Sequence, residues 1–276
     1  MEKEDKTIII KDIDIKQNSF LDVLKKILIN SIAIILFLVL WEVVARLKLV
    51  SNPVFFPPIT KIGAALVGEA VDGKLWINLY ISLQRALIGF AAGLCVAIPL
   101  GLAIGWFKTF GNLINPLLQV FRNMPVLALL PIFVMFFRIG ELSKVMVIMW
   151  GVLWYTLLNT ISGVRSVDSQ LIKAAKSMGT RSLRLFASVV LPAALPFIFT
   201  GVRISATVSI LILIAAEMMG ANSGLGYALF FYQANYLIPE MYAYIMIMAI
   251  LGTTVNFILE AVERRSFRWR DGPGSK

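Results

Sequence analysis

Side chains able to catalyse a reaction or bind a metal are scarce in this chain. It has no histidine and one cysteine, Cys95, which excludes histidine-based acid–base catalysis, histidine metal ligation and a disulfide framework. The stretch Gly68–Leu75 (GEAVDGKL) approaches the phosphate-binding pattern G-x-x-x-x-G-K-[ST], but Leu75 stands where that loop needs a hydroxyl for Mg²⁺. The sequence therefore predicts no enzyme, no metal site and no resident cofactor.

Ionisable residues inside long apolar segments are the stronger functional candidates, because a charge in the bilayer is costly and usually serves function. Arg122, Arg203 and Glu217 lie in such segments. We predict that they line a solute pathway, together with Pro125 and Tyr155. Alternatives stay open: Arg122 and Glu217 lie near segment ends, where side chains can snorkel to an interface, and Tyr155 also suits packing. Glu217 would repel an anion that the two arginines attract.

Long apolar helices must position these residues. The chain has 276 residues, of which 59% are hydrophobic and 15% charged, whereas a soluble domain is about half apolar and a quarter charged. Its apolar runs approach the roughly 20 residues that cross a bilayer as a helix. We therefore predict an all-α integral membrane protein with six transmembrane helices, at about residues 27–47, 81–106, 117–137, 143–160, 197–219 and 242–262.

Two pairs of glycines mark the second predicted span as a helix-packing surface. Gly89 and Gly93 are four residues apart, and so are Gly101 and Gly105. Small residues at this spacing let helix backbones approach closely in lipid. Pro99, between the two pairs, predicts a kink that neighbouring helices can tolerate.

The distribution of lysine and arginine predicts the orientation in the membrane. Of the 26 Lys and Arg, 17 lie in an N-terminal arm (1–26), at Lys108, in the loop 162–195 or in the tail 263–276, against five in the opposite loops. Cytoplasmic loops carry the excess of Lys and Arg, so both termini and the loop 162–195 are predicted to be cytoplasmic. The transmembrane domain then covers 27–262. The net charge of +10 reflects this sorting and gives no support for nucleic-acid binding.

The loop 162–195 predicts a helix–glycine–helix element. Asp168 is a suitable N-cap for a first helix over 169–178, and Gly179 suits its C-terminal end. A second helix is expected over 182–190, where apolar residues recur at helical spacing, and a Leu-Pro pair then stops it. Small residues at the tip of this element indicate docking into a cleft on a partner protein.

The same loop resembles the "EAA" loop of bacterial ABC import permeases, E-A-A-x₃-G-x₉-I-x-L-P. Here it reads Lys173-Ala174-Ala175, three residues, Gly179, nine residues, then Val189, one residue and Leu191-Pro192. Lys173 replaces the glutamate and reverses its charge, so an ion pair made by that glutamate does not carry over. Val189 is a conservative replacement for isoleucine, and the remaining spacing is intact.

The resemblance covers residues 30–270 and is to the permeases for nitrate, taurine, alkanesulfonate and bicarbonate uptake, with the type I importer fold. Supporting stretches are 52–58, 121–125, 139–144, 163–168, 215–218 and 223–226. The resemblance implies a permease subunit in a bacterial inner membrane that works with a second permease chain, as a homodimer, and with membrane lipid around it. It also implies an ATP-binding cassette subunit that holds ATP-Mg and an extracytoplasmic solute-binding protein.

In that family the loop forms a coupling helix that sits in a groove of the ATPase subunit, and Leu-Pro sets the elbow into the next span. The residues implied for coupling are Lys173, Ala174, Ala175, Met178, Gly179, Leu191 and Pro192. A secondary transporter or a channel is the alternative function. Secondary transporters usually show internal repeats and ionisable relays at the membrane midplane, and neither is evident in this sequence.

Overall fold

The computed structural model describes residues 32–49 and 52–266. These residues form two compact units that divide between Ala65 and Leu66. The predicted N-terminal arm, the start of the first predicted span and the end of the tail lie outside the described residues.

The first unit contains helix α1, residues 32–46, and the short 3₁₀ turn Pro53–Phe55. The Trp41 indole stacks on Phe56, with ring centroids 4.6 Å apart, and its N–H donates to the carbonyl of Pro57 at 3.0 Å. Glu42 accepts from the backbone N–H of Thr60 at 3.2 Å. This bond satisfies a free N–H in the first turn of α2 (Ile59–Val71), as a capping carboxylate does.

The remaining residues fold into helices, and the described part of the chain contains no strand. Four helical stretches are long and apolar enough to cross a membrane, and a bent pair of helices could form a fifth span. The helices are α3 (Lys74–Trp106), α4 (Lys108–Arg122), α5 (Leu130–Phe137), α6 (Glu141–Arg165), α7 (Ser169–Ser177), α8 (Ser182–Leu185), α9 (Leu191–Met218), α10 (Leu225–Ala234) and α11 (Ile238–Ser266). The predicted all-α membrane fold is confirmed, and the four long stretches extend several residues beyond the predicted bounds at one or both ends.

The expectation of one continuous third span over 117–137 is wrong. Helix α4 ends at Arg122, the chain resumes as the 3₁₀ turn Val126–Leu129, and the two arms are bent by 86°. Pro125 explains the break, because proline lacks an N–H and disfavours the helical conformation of the residue before it. The side chain of Asn123 closes the end of α4 by donating to the carbonyl of Gln119 at 2.7 Å.

The expected stop at Leu191-Pro192 is also wrong, because the chain stays helical from Ser182 to Met218. One π-helical turn, Phe186–Val190, precedes Pro192, and the N–H of Leu191 donates to the carbonyl of Phe186. Inside an α-helix a proline ring clashes with the carbonyl four residues back. The wider π turn relieves that clash and joins α8 to α9 without a break.

The predicted glycine surface packs against α6. A Cβ atom built on Gly93 would lie 2.6 Å from Cγ1 of Val152, and the glycines at 89, 101 and 105 face α6 equally closely. Only a residue without a side chain permits this approach of the two backbones. The interface between α3 and α6 therefore depends on glycine at these positions.

We expect Gly93→Val to lower the thermal unfolding temperature of the purified protein, because the added side chain forces α3 away from α6. Overpacking a core site typically costs about 1–3 kcal/mol. Gly252→Val in α11 is the matched control, since a Cβ there meets nothing within 4 Å. Thermal unfolding in detergent, followed by size-exclusion chromatography, measures both variants. Equal unfolding temperatures would contradict the assigned α3–α6 contact.

Candidate functional site

The loop predicted to be cytoplasmic forms two helical segments, α7 and α8, and α7 is capped at both ends. The Asp168 carboxylate accepts from the backbone N–H of Gln170 at 2.8 Å and caps α7. At the other end Gly179 has a φ of +71°, a left-handed conformation that favours glycine, and the N–H of Thr180 donates to the carbonyl of Ala175 at 3.2 Å. The predicted N-cap and C-terminal glycine are both confirmed.

Helix α7 has an inward face and an outward face. Ile172 and Ala175 pack against the core formed by the end of α6 and the start of α9 together with α8, whose centre includes Val164, Leu185 and Ala194. Most exposed side chains of α7 are polar, but a few apolar ones are exposed as well, at a spacing of three and four residues. We call these apolar side chains the tip surface: Leu171, Ala174, Met178 and, from α8, Leu183.

The tip surface only partly matches the predicted coupling residues. Met178 is 84% exposed and Leu183 85% exposed, while Ala175 is half-buried. Leu171 and Leu183 are not among the predicted coupling residues, because neither belongs to the Ala-Ala-x₃-Gly pattern. The apolar spacing of three and four residues along α7 was the signal that could have found Leu171.

The other predicted coupling residues lie beside the tip surface. Lys173 is exposed and lines a groove between α7 and the α3–α4 connection. Leu191 is half-buried and packs in the core beneath α7, whereas Pro192 is exposed on the first turn of α9. A movement of α7 would therefore pass to α9 through a continuous helix and a packed core.

Three of the predicted pathway residues lie around the bend between α4 and α5 or on α6. Arg122, Pro125 and Tyr155 are all exposed. Behind the bend, the rings of Trp150 and Trp154 pack edge to face with centroids 5.1 Å apart. The indole N–H groups of both tryptophans are buried without a hydrogen-bond partner in the described residues.

Arg203, the fourth pathway candidate, forms an ion pair between two spans. Its guanidinium donates to the Glu263 carboxylate at 2.7 Å, which joins α9 to α11. The side chain of Arg203 is 38% exposed, so it faces the bundle only in part. Its charge is compensated within the chain.

Glu217, the fifth candidate, is fully buried, so the alternative that it snorkels to an interface is wrong. The Arg85 guanidinium donates to its carboxylate at 2.7 Å, and the Ser82 hydroxyl donates at 2.8 Å. The backbone N–H of Gly226 donates to the same carboxylate at 2.9 Å. Glu217 thus ties α9 to α3 and to the first turn of α10.

Arg85 extends this cluster to α6. It donates to Glu141 at 2.6 Å and to the carbonyl of Ser223 at 2.7 Å, and Lys144 lies 3.4 Å from the Glu141 carboxylate. We call Arg85, Glu141, Lys144 and Glu217 the charge cluster. Its two positive and two negative groups balance. A carboxylate with this many donors is held in place, so the charge cluster fixes three spans and the loop before α10.

A cavity of about 620 Å³ opens at the end of α3 opposite to α7. It is lined by acidic, amide and aromatic residues that include Glu69, Asn78, Tyr232 and Glu240. Burial raises the pKa of Tyr232, and a hydrogen bond to Glu69 raises it further. Tyr232 therefore stays protonated and serves as a donor. The P-loop-like stretch runs from the end of α2 through the turn into the first two residues of α3, of which Lys74 lines this cavity.

Comparison with known proteins gives a consistent result. Residues 97–268 match the family described as binding-protein-dependent transport system inner membrane component. The taurine transport system permease protein TauC of Escherichia coli (strain K12) is 33% identical over 87% of this chain and 88% of its own length. The nitrate import permease protein NrtB of Synechocystis sp. is 31% identical over 70% of each chain.

The fold also matches solved transporter structures. An inward-facing structure of the MetNI methionine ABC transporter superposes with a TM-score of 0.62 and covers 69% of this chain and 96% of its own, at 19% identity. At that identity the likeness concerns the fold alone. The part of the chain that matches the family includes the Ala-x₃-Gly segment and the bent α4–α5 pair. It also includes every member of the charge cluster except Arg85.

Proposed function

The chain belongs to the binding-protein-dependent transport system inner membrane components, the permeases of ABC importers, and from this premise we propose that it couples a separate ATPase to the import of a small anionic solute. The observation that carries the coupling step is the exposed tip surface on a helix capped at both ends. An apolar surface rimmed by polar residues is typical of a protein–protein contact. The homodimer, the ATPase subunit and the solute-binding protein are parts of the same proposal.

In the proposed mechanism the ATPase subunits hold the tip surfaces of two permease chains. ATP binding closes the ATPase dimer, and the movement of its two grooves is transmitted through α7 and α8 into α9. The helix from Ser182 to Met218 is continuous, so it can act as a rigid lever. The permease performs no chemical step in this scheme; it links two sites energetically.

The proposed orientation can be tested by labelling single cysteines. In a Cys95→Ser background we expect Ser177→Cys at the end of α7 to react with a membrane-impermeant maleimide only from the cytoplasmic side. Asn222→Cys, between α9 and α10, is expected to react only from outside. Both native side chains are exposed, so access depends on membrane side alone. Labelling of both positions from one side would contradict the orientation.

For the substrate we propose a sulfonate, taurine or nitrate, because the relatives named above transport taurine and nitrate by their printed names. The test is ATP-driven uptake in proteoliposomes that contain the permease, its ATPase and its solute-binding protein. Labelled taurine, an alkanesulfonate, nitrate and bicarbonate are compared, with a cationic amino acid as the control. Uptake of the cation alone, or uptake that does not depend on ATP, would overturn the proposal.

A further inference from the structure

A basic groove lies behind the coupling helix, on the side away from the tip surface. It encloses about 730 Å³ between α7 and the ends of α3, α4 and α6. Four of its lining residues are cationic: Lys108, Arg165, Lys173 and Lys176. No aspartate or glutamate lines it. This concentration of one charge within one concave surface differs from the balanced charge cluster at the other end of the spans.

The four cations of the basic groove are not neutralised within the described residues. None of them forms a salt bridge there. The nearest acid in sequence, Asp168, caps α7, does not line the groove and forms no salt bridge with any of the four cations. The groove therefore carries an uncompensated positive charge, and such a surface attracts a ligand with several anionic oxygens.

The backbone of α4 leaves room for the side chain of Arg165 beside the basic groove. A Cβ atom on Gly111 would lie 2.7 Å from Nη2 of Arg165, so the guanidinium rests directly on the backbone of α4. Trp106, the last residue of α3, lines the groove as well. Tryptophan at the end of a membrane span commonly lies at the level of lipid headgroups.

We propose that the basic groove binds the phosphate-bearing headgroup of an anionic phospholipid. It lies where α3 and α6, two membrane spans, end, and basic pockets between helix ends on the cytoplasmic side suit such headgroups. A bound headgroup would join the span ends to the inward face of α7, opposite the surface that meets the ATPase. The inference rests on the proposed cytoplasmic position of α7.

The test uses the full-length protein in detergent and measures bound lipids by native mass spectrometry. Phosphatidylglycerol is titrated against phosphatidylcholine, and inorganic phosphate is added as a competitor in a separate arm. In K108Q/K176Q we expect phosphatidylglycerol to bind about 25-fold more weakly, because each lysine near an anionic headgroup contributes about fivefold. The charge-retaining variant K108R/K176R is expected to bind as the native protein does. Lys173 stays unchanged, because it is a coupling candidate.

R181Q/R184Q is the matched control, since it removes two exposed cations from the same loop that do not line the basic groove. Its lipid binding should equal that of the native protein. Equal weakening in R181Q/R184Q would mean that a diffuse basic surface binds lipid and would overturn the proposal. Native binding in K108Q/K176Q, or full displacement of the lipid by inorganic phosphate, would also overturn it. Because no step requires transport, failure here is distinct from failure of the proposed transport function.

Discussion

Ala174→Trp is expected to abolish ATP-driven uptake while the permease still folds and inserts. Ala174 is exposed at the centre of the tip surface, so a large side chain there strains nothing inside the permease. It would, however, hold the coupling helix out of any closely fitting cleft. Central interface residues often contribute about 2 kcal/mol or more to binding, and a steric block at such a position should reduce uptake to background.

The measurement is uptake in proteoliposomes with the ATPase and the solute-binding protein, together with the amount of ATPase that co-purifies. Thr109→Trp is the control, because Thr109 is also exposed, lies on α4 and does not line the basic groove. It should retain uptake. Ala174 is a cleaner position than Ala175, which is half-buried, or Gly179, whose positive φ makes any side chain costly. Normal uptake by Ala174→Trp would show that coupling does not pass through the tip surface.

The capped coupling helix could be predicted from the sequence because its signals are local. Asp168 and Gly179 each specify a backbone conformation within a few residues of themselves, and both predictions are confirmed. The glycine surface of α3 could be predicted for a similar reason. A four-residue repeat marks one face of a helix whatever that face meets, although the repeat did not identify α6 as the partner.

The charge cluster could not be predicted, because its members are distant in sequence. Arg85 and Glu217 come together only when α3 and α9 pack, and Glu141 joins them from the start of α6. From the sequence, Arg85 was merely one more cation within a span, and Glu217 was an isolated acid. Their partners depend on helix rotation and depth, which a hydropathy pattern does not specify.

The two incorrect helix boundaries have a common cause, since both involve proline. Pro125 lies within an expected span and Pro192 follows an apolar run, and the sequence favoured a continuous helix at the first and a stop at the second. The structure reverses both outcomes: the chain bends by 86° before α5 and continues through a π turn into α9. The local sequence identifies where a helix must accommodate a proline. The surrounding packing decides whether the helix bends at that point or continues through a wider turn.

Glu217→Met is expected to destabilise the permease strongly, by about 3–5 kcal/mol, because Arg85 then shares Glu141 with Lys144 and the charge cluster keeps one uncompensated positive charge. The side chains of Arg85 and Glu217 are 4% and 0% exposed, so water cannot replace the lost contact. The substitution also removes the acceptor of the Gly226 N–H, which should loosen the start of α10. Thermal unfolding of the purified protein measures the loss.

The double variant R85M/E217M separates charge balance from packing. It leaves Glu141 and Lys144 as one ion pair, so no net charge remains in the charge cluster, and we expect it to be more stable than either single variant. Replacing a whole buried pair by apolar residues of similar volume is often nearly neutral. Glu260→Met is the control: it breaks the pair between Glu260 and Arg264, whose arginine is 78% exposed, and should change stability little. Additive losses in the double variant would mean that Arg85 and Glu217 stabilise the spans independently, and that the ion pair between them is not what holds α3 to α9.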